Sequence, residues 1–137
     1  NETKHATPNA FREVIQNGPN YLKQKEREIG FRVLDYIAQH SEDSRLSPLI
    51  VCQKFDISFN ELNRITQFYV EKTFTDYLDW LRISKASELL LTKNETVMDV
   101  ALEVGYNSTK TFQRAFYKIR KLTPTDFRKA VMYQSGT

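Results

Sequence analysis

A motif repeated at an interval of 50 residues constrains this 137-residue chain more than any other feature. Ser58 and Ser108 stand at that interval, as do Arg64 and Arg114, Thr73 and Thr123, Asp76 and Asp126, and Tyr77 and Phe127. Apolar positions follow the same register: Ile50 with Val100, Val51 with Ala101, Leu62 with Phe112. Each copy reads as a short helix, a tight turn, a second helix with a polar face, and then a capped helix start. A chain with this layout is expected to fold as two similar helical lobes.

Capping chemistry marks the helix starts. Ser47-Pro48 sets a hydroxyl at the N-cap and a proline at the first helical position, where its missing N–H costs nothing. Ser58-Phe59-Asn60-Glu61 is a capping box, in which the hydroxyl accepts from the N3 amide and Glu61 reaches back. Thr73 to Asp76, Thr96 to Asp99 and Thr123 to Asp126 have the same form with aspartate, the last with a first-turn proline; Ser108 caps without a box. Gly105 follows Val104, where a left-handed residue would end a helix. With Ile29, Val33, Leu34 and Ile37 forming an earlier apolar stripe, the expected helices are about 23–40, 48–55, 58–71, 74–92, 97–104, 108–121 and 124–132. No segment alternates as a strand would. The expected fold class is all-α: seven helices, two helix-turn-helix subdomains joined by a long linker helix. The domains are then 1–22, a flexible linker remnant with a helical turn around Phe11–Gln16; 23–73, the first subdomain; 74–92, the linker helix; and 93–137, the second subdomain. Because the chain begins with Asn, it is expected to be a piece of something longer.

Composition excludes several classes. Forty per cent hydrophobic and 27 per cent charged residues are ordinary globular values. A net charge of +3 permits a polyanionic partner without demanding one. Cys52 is the single cysteine, so no intrachain disulfide can form and a reducing, cytoplasmic setting is expected. Within Leu49-Ile50-Val51-Cys52 it reads as a small buried thiol rather than a nucleophile. With His5 and His40 distant and no CxxC, no metal site and no cofactor are expected. No apolar run approaches the roughly 20 residues that span a membrane.

The outward faces carry the functional signal. From Ser108, Phe112, Ala115, Phe116 and Ile119 form a core stripe, while Lys110, Arg114 and Lys118 stand four apart on another side. Thr109, Thr111 and Gln113 lie near the helix start. In a major groove, short polar side chains and an arginine can reach base edges while other cations meet phosphates. Such a cation pattern alone is more often a solvated face; its place after a short helix, a Gly-containing turn and an N-cap serine points to DNA. In the earlier copy Leu62, Ile65 and Tyr69 face inward and Asn60, Asn63, Arg64 and Gln67 outward. Arg64 can bond guanine, and Asn or Gln adenine. It is the single cation on that face, offset by Glu61 and Glu71, so the two copies are expected to be unequal. The apolar helix between them, about 18 residues or ~27 Å, would set the distance between readers; groove faces on one side of B-DNA recur every ~34–36 Å.

Tyr77-Leu78-x-x-x-Arg82-Ile83-x-x-Ala86-x-x-Leu89-Leu90, then Val100-Ala101-x-x-Val104-Gly105-Tyr106, Phe112-x-Arg114-x-Phe116-x-Lys118 and Thr123-Pro124-x-x-Phe127-Arg128, resemble the DNA-binding domain of AraC/XylS-type transcription regulators over about residues 25 to 132. The resemblance implies a bacterial, non-enzymatic, sequence-specific double-stranded DNA-binding domain, commonly an activator, at work in the cytoplasm on the nucleoid. Promoter DNA and RNA polymerase are the implied partners, with an effector or dimerisation domain upstream in the full-length protein. It carries over base or phosphate contacts onto Asn60, Asn63, Arg64 and Gln67, and onto Thr109, Lys110, Thr111, Gln113, Arg114 and Lys118, with Ser108 at the cap. Arg82 is expected to bond internally, to an acid or a carbonyl, with a phosphate contact as the second reading. The chain departs from the family pattern at Thr66, where an aromatic residue is usual, and at Glu71 and Lys121, where glycine is usual. Two rivals stand beside this reading: a protein-interaction module that kept the fold without DNA binding, and a segment of a DNA-repair alkyltransferase.

Overall fold

The computed structural model describes residues 22–135, so the linker 1–21 and its turn around Phe11–Gln16 lie outside the described residues. Those described form seven helices and no strand: α1 Gln24–Gln39, α2 Pro48–Phe55, α3 Phe59–Val70, α4 Phe74–Thr92, α5 Val97–Glu103, α6 Thr109–Arg120 and α7 Pro124–Ser135. The capping residues act as their chemistry demands. Ser47, Ser58, Thr73, Thr96, Ser108 and Thr123 each accept the backbone N–H three residues on, at 3.1 to 3.3 Å. At Ser58 the reciprocal bond from its own N–H to Glu61 Oε1 is also made, at 2.8 Å.

Two compact units divide the chain: 22–36 with Ser47–Tyr77, and Ile37–Leu46 with 78–135. In the first unit Val33, Val51, Leu62 and Ile65 are buried, with Cys52, Ile57 and Phe74 nearly so. Gly30 on α1 lets the Tyr69 ring pack closely, since a Cβ there would lie 2.5 Å from that ring and oblige it to shift. In the second unit Ile83, Ala86 and Leu90 of α4 join Val100, Ala101 and Val104 of α5 and Phe112 and Phe116 of α6 in one cluster, which Phe127 of α7 packs against. Phe112–Phe116 and Phe116–Phe127 meet at 5.7 and 5.4 Å between ring centroids.

The repeat is not uniform. From the N-cap onward, α3 and α6 match at 50 residues: Leu62 and Phe112 are both buried. The preceding helices match at 49. N-cap Ser47 aligns with Thr96, and buried Val51 with buried Val100. Likewise Asp56, at φ 55°, aligns with Gly105, at φ 115°. The pairing of Ile50 with Val100 expected from a constant interval is therefore corrected, for Ile50 is 37% exposed and Val100 fully buried. One extra residue in the second turn, beside Asn107, accounts for the shift.

Candidate nucleic-acid interface

The helix expected to read DNA in the second unit is α6. Its inner side buries Phe112, Ala115 and Phe116, which leaves Lys110, Thr111, Gln113, Arg114 and Lys118 exposed and Thr109 half-buried. Lys110 and Arg114 make no ion pair or hydrogen bond among the described residues. Ser108 and Thr111 are tied together: Ser108 Oγ accepts from the Thr111 amide at 3.1 Å and donates to Thr111 Oγ1 at 2.9 Å. Arg120, further along and exposed, is tied down within its own unit, with Nε donating to Ser87 Oγ at 2.9 Å and the guanidinium 5.9 Å from the Phe127 ring centroid. No acid occurs in α6. The exposed face is cationic and polar, as a groove-facing helix must be.

The turn that presents α6 is braced from beneath. Arg82 is buried; its Nε donates to the Ser41 carbonyl at 2.6 Å and an Nη to the Asp43 carbonyl at 2.9 Å. The internal carbonyl bonds expected of Arg82 are thus observed. Its guanidinium lies 5.2 Å from the Tyr106 ring centroid, and Tyr106 donates its hydroxyl to Asp79 Oδ1 at 2.7 Å. Burial, with the Asp79 bond second, pushes the Tyr106 phenol well above its usual range, so it remains a donor. Gly105 between them has no space for a side chain: a Cβ would meet Arg82 Nε at 2.7 Å and the Ser41 oxygen at 2.9 Å.

The corresponding helix of the first unit, α3, differs in its charge. Asn60, Asn63 and Gln67 of α3 are exposed, and Asn63 Oδ1 accepts from the Phe74 amide at 3.4 Å. Arg64 is engaged from within: Nε donates to Glu26 Oε1 at 3.1 Å and Nη2 to Glu26 Oε2 at 2.7 Å. Glu26 on α1 is wholly inaccessible, while the Arg64 side chain keeps 27% exposure. No local sequence signal indicated this acid, which sits in a run of charged residues 38 positions upstream of its partner. Glu61, expected to offset Arg64, is occupied by the Ser58 cap, and the Ser58 backbone hydrogen bond lowers its pKa.

A family model described as a helix-turn-helix domain matches residues 51–130. Regulatory protein SoxS of Escherichia coli is 30% identical over 96 residues, which cover 70% of this chain and 89% of SoxS. The chain belongs to the AraC-type helix-turn-helix family. HTH-type transcriptional activator RhaR of Mannheimia succiniciproducens is 30% identical over 77 residues, 56% of this chain but 28% of RhaR's own length. Among solved structures, the C-terminal domain of AraT, a response regulator from Geobacillus stearothermophilus, superposes with a TM-score of 0.70 at 28% identity, covering 80% of this chain and 87% of that one.

Within this AraC-type fold the departures acquire a geometry. Glu71 and Lys121, standing where the family pattern has glycine, are the left-handed C-caps of α3 and α6, at φ 58° and 63°. Thr66, where an aromatic residue is usual, is buried and donates its hydroxyl to the Asn63 carbonyl at 3.2 Å. Cys52 is buried on α2, and burial, followed by the Glu61 charge, pushes its thiol pKa up, away from nucleophilic character. Among the described residues no His/Cys/Asp/Glu group could hold a metal ion, and no helix is long and apolar enough to cross a membrane.

Proposed function

We propose that this chain is the sequence-specific double-stranded DNA-binding domain of a bacterial transcription regulator, an activator, in which each unit offers one reading helix to a major-groove segment. The exposed face of α6 carries the reading: Lys110, Arg114 and Lys118 at four-residue spacing beside Thr111 and Gln113, with no acid in the helix. Arg114 and Gln113 read base edges; Lys110 and Lys118 bind phosphate, with Thr109 and Thr111 at the helix start. In the first unit Asn60, Asn63, Arg64 and Gln67 form the corresponding set. The domain acts by binding and not by catalysis, in the cytoplasm on promoter DNA, with RNA polymerase as a protein partner. An effector or dimerisation domain lies upstream in the full-length protein on this reading.

The test is selection of bound fragments from the source genome, followed by affinity measurements on a selected duplex and an unrelated one across a salt series. Selected duplexes are expected to bind at least 10³-fold more tightly than unrelated DNA, with log K falling linearly with log salt. Equal affinity for both duplexes at every salt concentration would sink sequence-specific reading and leave the interaction module.

A further inference from the structure

We propose that Glu26 is a positioning residue for base recognition by Arg64, holding the guanidinium by one edge so that its opposite fork of N–H groups faces a single guanine. The inference rests on α3 being a DNA-reading helix. A guanidinium carries five N–H donors in a rigid plane. Glu26 takes two of them, one on Nε and one on Nη2, at 3.1 and 2.7 Å. The three left over are both N–H groups of Nη1 and the outer one of Nη2. Adjacent N–H groups of Nη1 and Nη2 form the end fork, and that fork matches guanine O6 and N7.

The anchor is built to stay. Glu26 is fully buried in the first turn of α1, and its Oε1 also accepts the Lys23 amide at 3.2 Å. A buried carboxylate without a partner is costly, so the pair persists before any ligand arrives. An arginine fixed in this way loses little rotamer freedom on binding. An unanchored one can swing to a phosphate, which carries no sequence information. The exposed part of Arg64 lies on the same helical stripe as exposed Asn60 and Gln67, so a pinned fork would face the edge that those amides reach.

The experiment compares the unaltered chain with Glu26→Gln, Arg64→Lys, Arg64→Ala and Arg114→Ala. Each is assayed on its best selected duplex, on every single-base variant of that duplex, and on an unrelated duplex, with a thermal melt to establish folding. Glu26→Gln is expected to reduce the preference for guanine at one position roughly tenfold, with affinity for unrelated DNA unchanged or higher, since an acid is removed. Arg64→Lys is expected to reduce it similarly because an ammonium cannot form the fork, and this variant keeps the test alive should Glu26→Gln fail to fold. If Glu26→Gln retains the guanine preference that Arg64→Ala loses, Arg64 reads unaided and the positioning role is overturned. If no change at position 64 alters any base preference while Arg114→Ala still weakens binding, Arg64 is not a reader; the proposal fails and DNA reading by α6 stands. Absence of any duplex selectivity in the unaltered chain would overturn both this proposal and the function it rests on.

Discussion

Helices α3 and α6 share an N-cap serine, an inward apolar stripe, an arginine at the same helical position and a left-handed C-cap, yet they handle that arginine in opposite ways. Arg64 is bound to a fully buried acid on α1. Arg114 is exposed and has no hydrogen-bond or ion-pair partner among the described residues. The same residue in the same repeat position can therefore be part of the scaffold in one copy and a pure surface group in the other. What decides between them lies outside the reading helix altogether.

Arg64→Ala breaks this comparison most strongly. It leaves Glu26 buried without its cation and is expected to cost about 3 kcal/mol of stability, the low end for a broken buried pair because water reaches Arg64. Urea unfolding reads this directly, and an unchanged midpoint would mean that Glu26 finds another partner. Arg114→Ala is expected to leave the midpoint in place while lowering specific DNA affinity by ~1–3 kcal/mol. Equal losses on specific and random DNA would reassign Arg114 to a phosphate.

Smaller effects sharpen the likenesses. Left-handed backbone costs a residue with a side chain ~1–2 kcal/mol, and glycine returns part of that in chain entropy. Glu71→Gly and Lys121→Gly should therefore each raise stability by about 0.5–1 kcal/mol. A gain at one site and a loss at the other, read from paired melts, would show that the two helix ends are not equivalent. The smallest effect concerns pH. Hydrogen bonding to Ser58 holds Glu61 below its usual value of 4.5, so the stability from this box is present above that value. It is lost as pH falls through the lowered folded value, whereas the Ser108 cap, with Thr111 in the third position, has no such dependence. Glu61→Gln should flatten that part of the acid unfolding curve.

Helix starts were legible because each needs a residue with a specific job: the six hydroxyl caps and Pro48 and Pro124 announce themselves locally. The core stripe of α6 was equally plain, as Phe112 and Phe116 recur at helical spacing. The constant interval was misleading where one residue had been added to a turn, because apolar residues adjacent in sequence, Ile50 and Val51, can each be paired with a buried partner on paper. The Glu26–Arg64 pair was illegible for a different reason. A glutamate among lysines and arginines reads as solvated, and only the packing of α1 against α3 converts it into a buried anchor. Cys52 was read correctly as a buried thiol because its neighbours are aliphatic.

The additional residue in the second turn determines how the two halves could be recombined. An α-helix turns ~100° per residue. Exchanging the reading helices from N-cap serine to C-cap, Ser58–Glu71 for Ser108–Lys121, keeps every side chain on its own face. A crossover placed upstream at the constant 50-residue spacing would begin in helices that match at 49. The spliced part of that short helix would then continue its host rotated by about that angle, carrying buried positions such as Val100 and Ala101 off the core face.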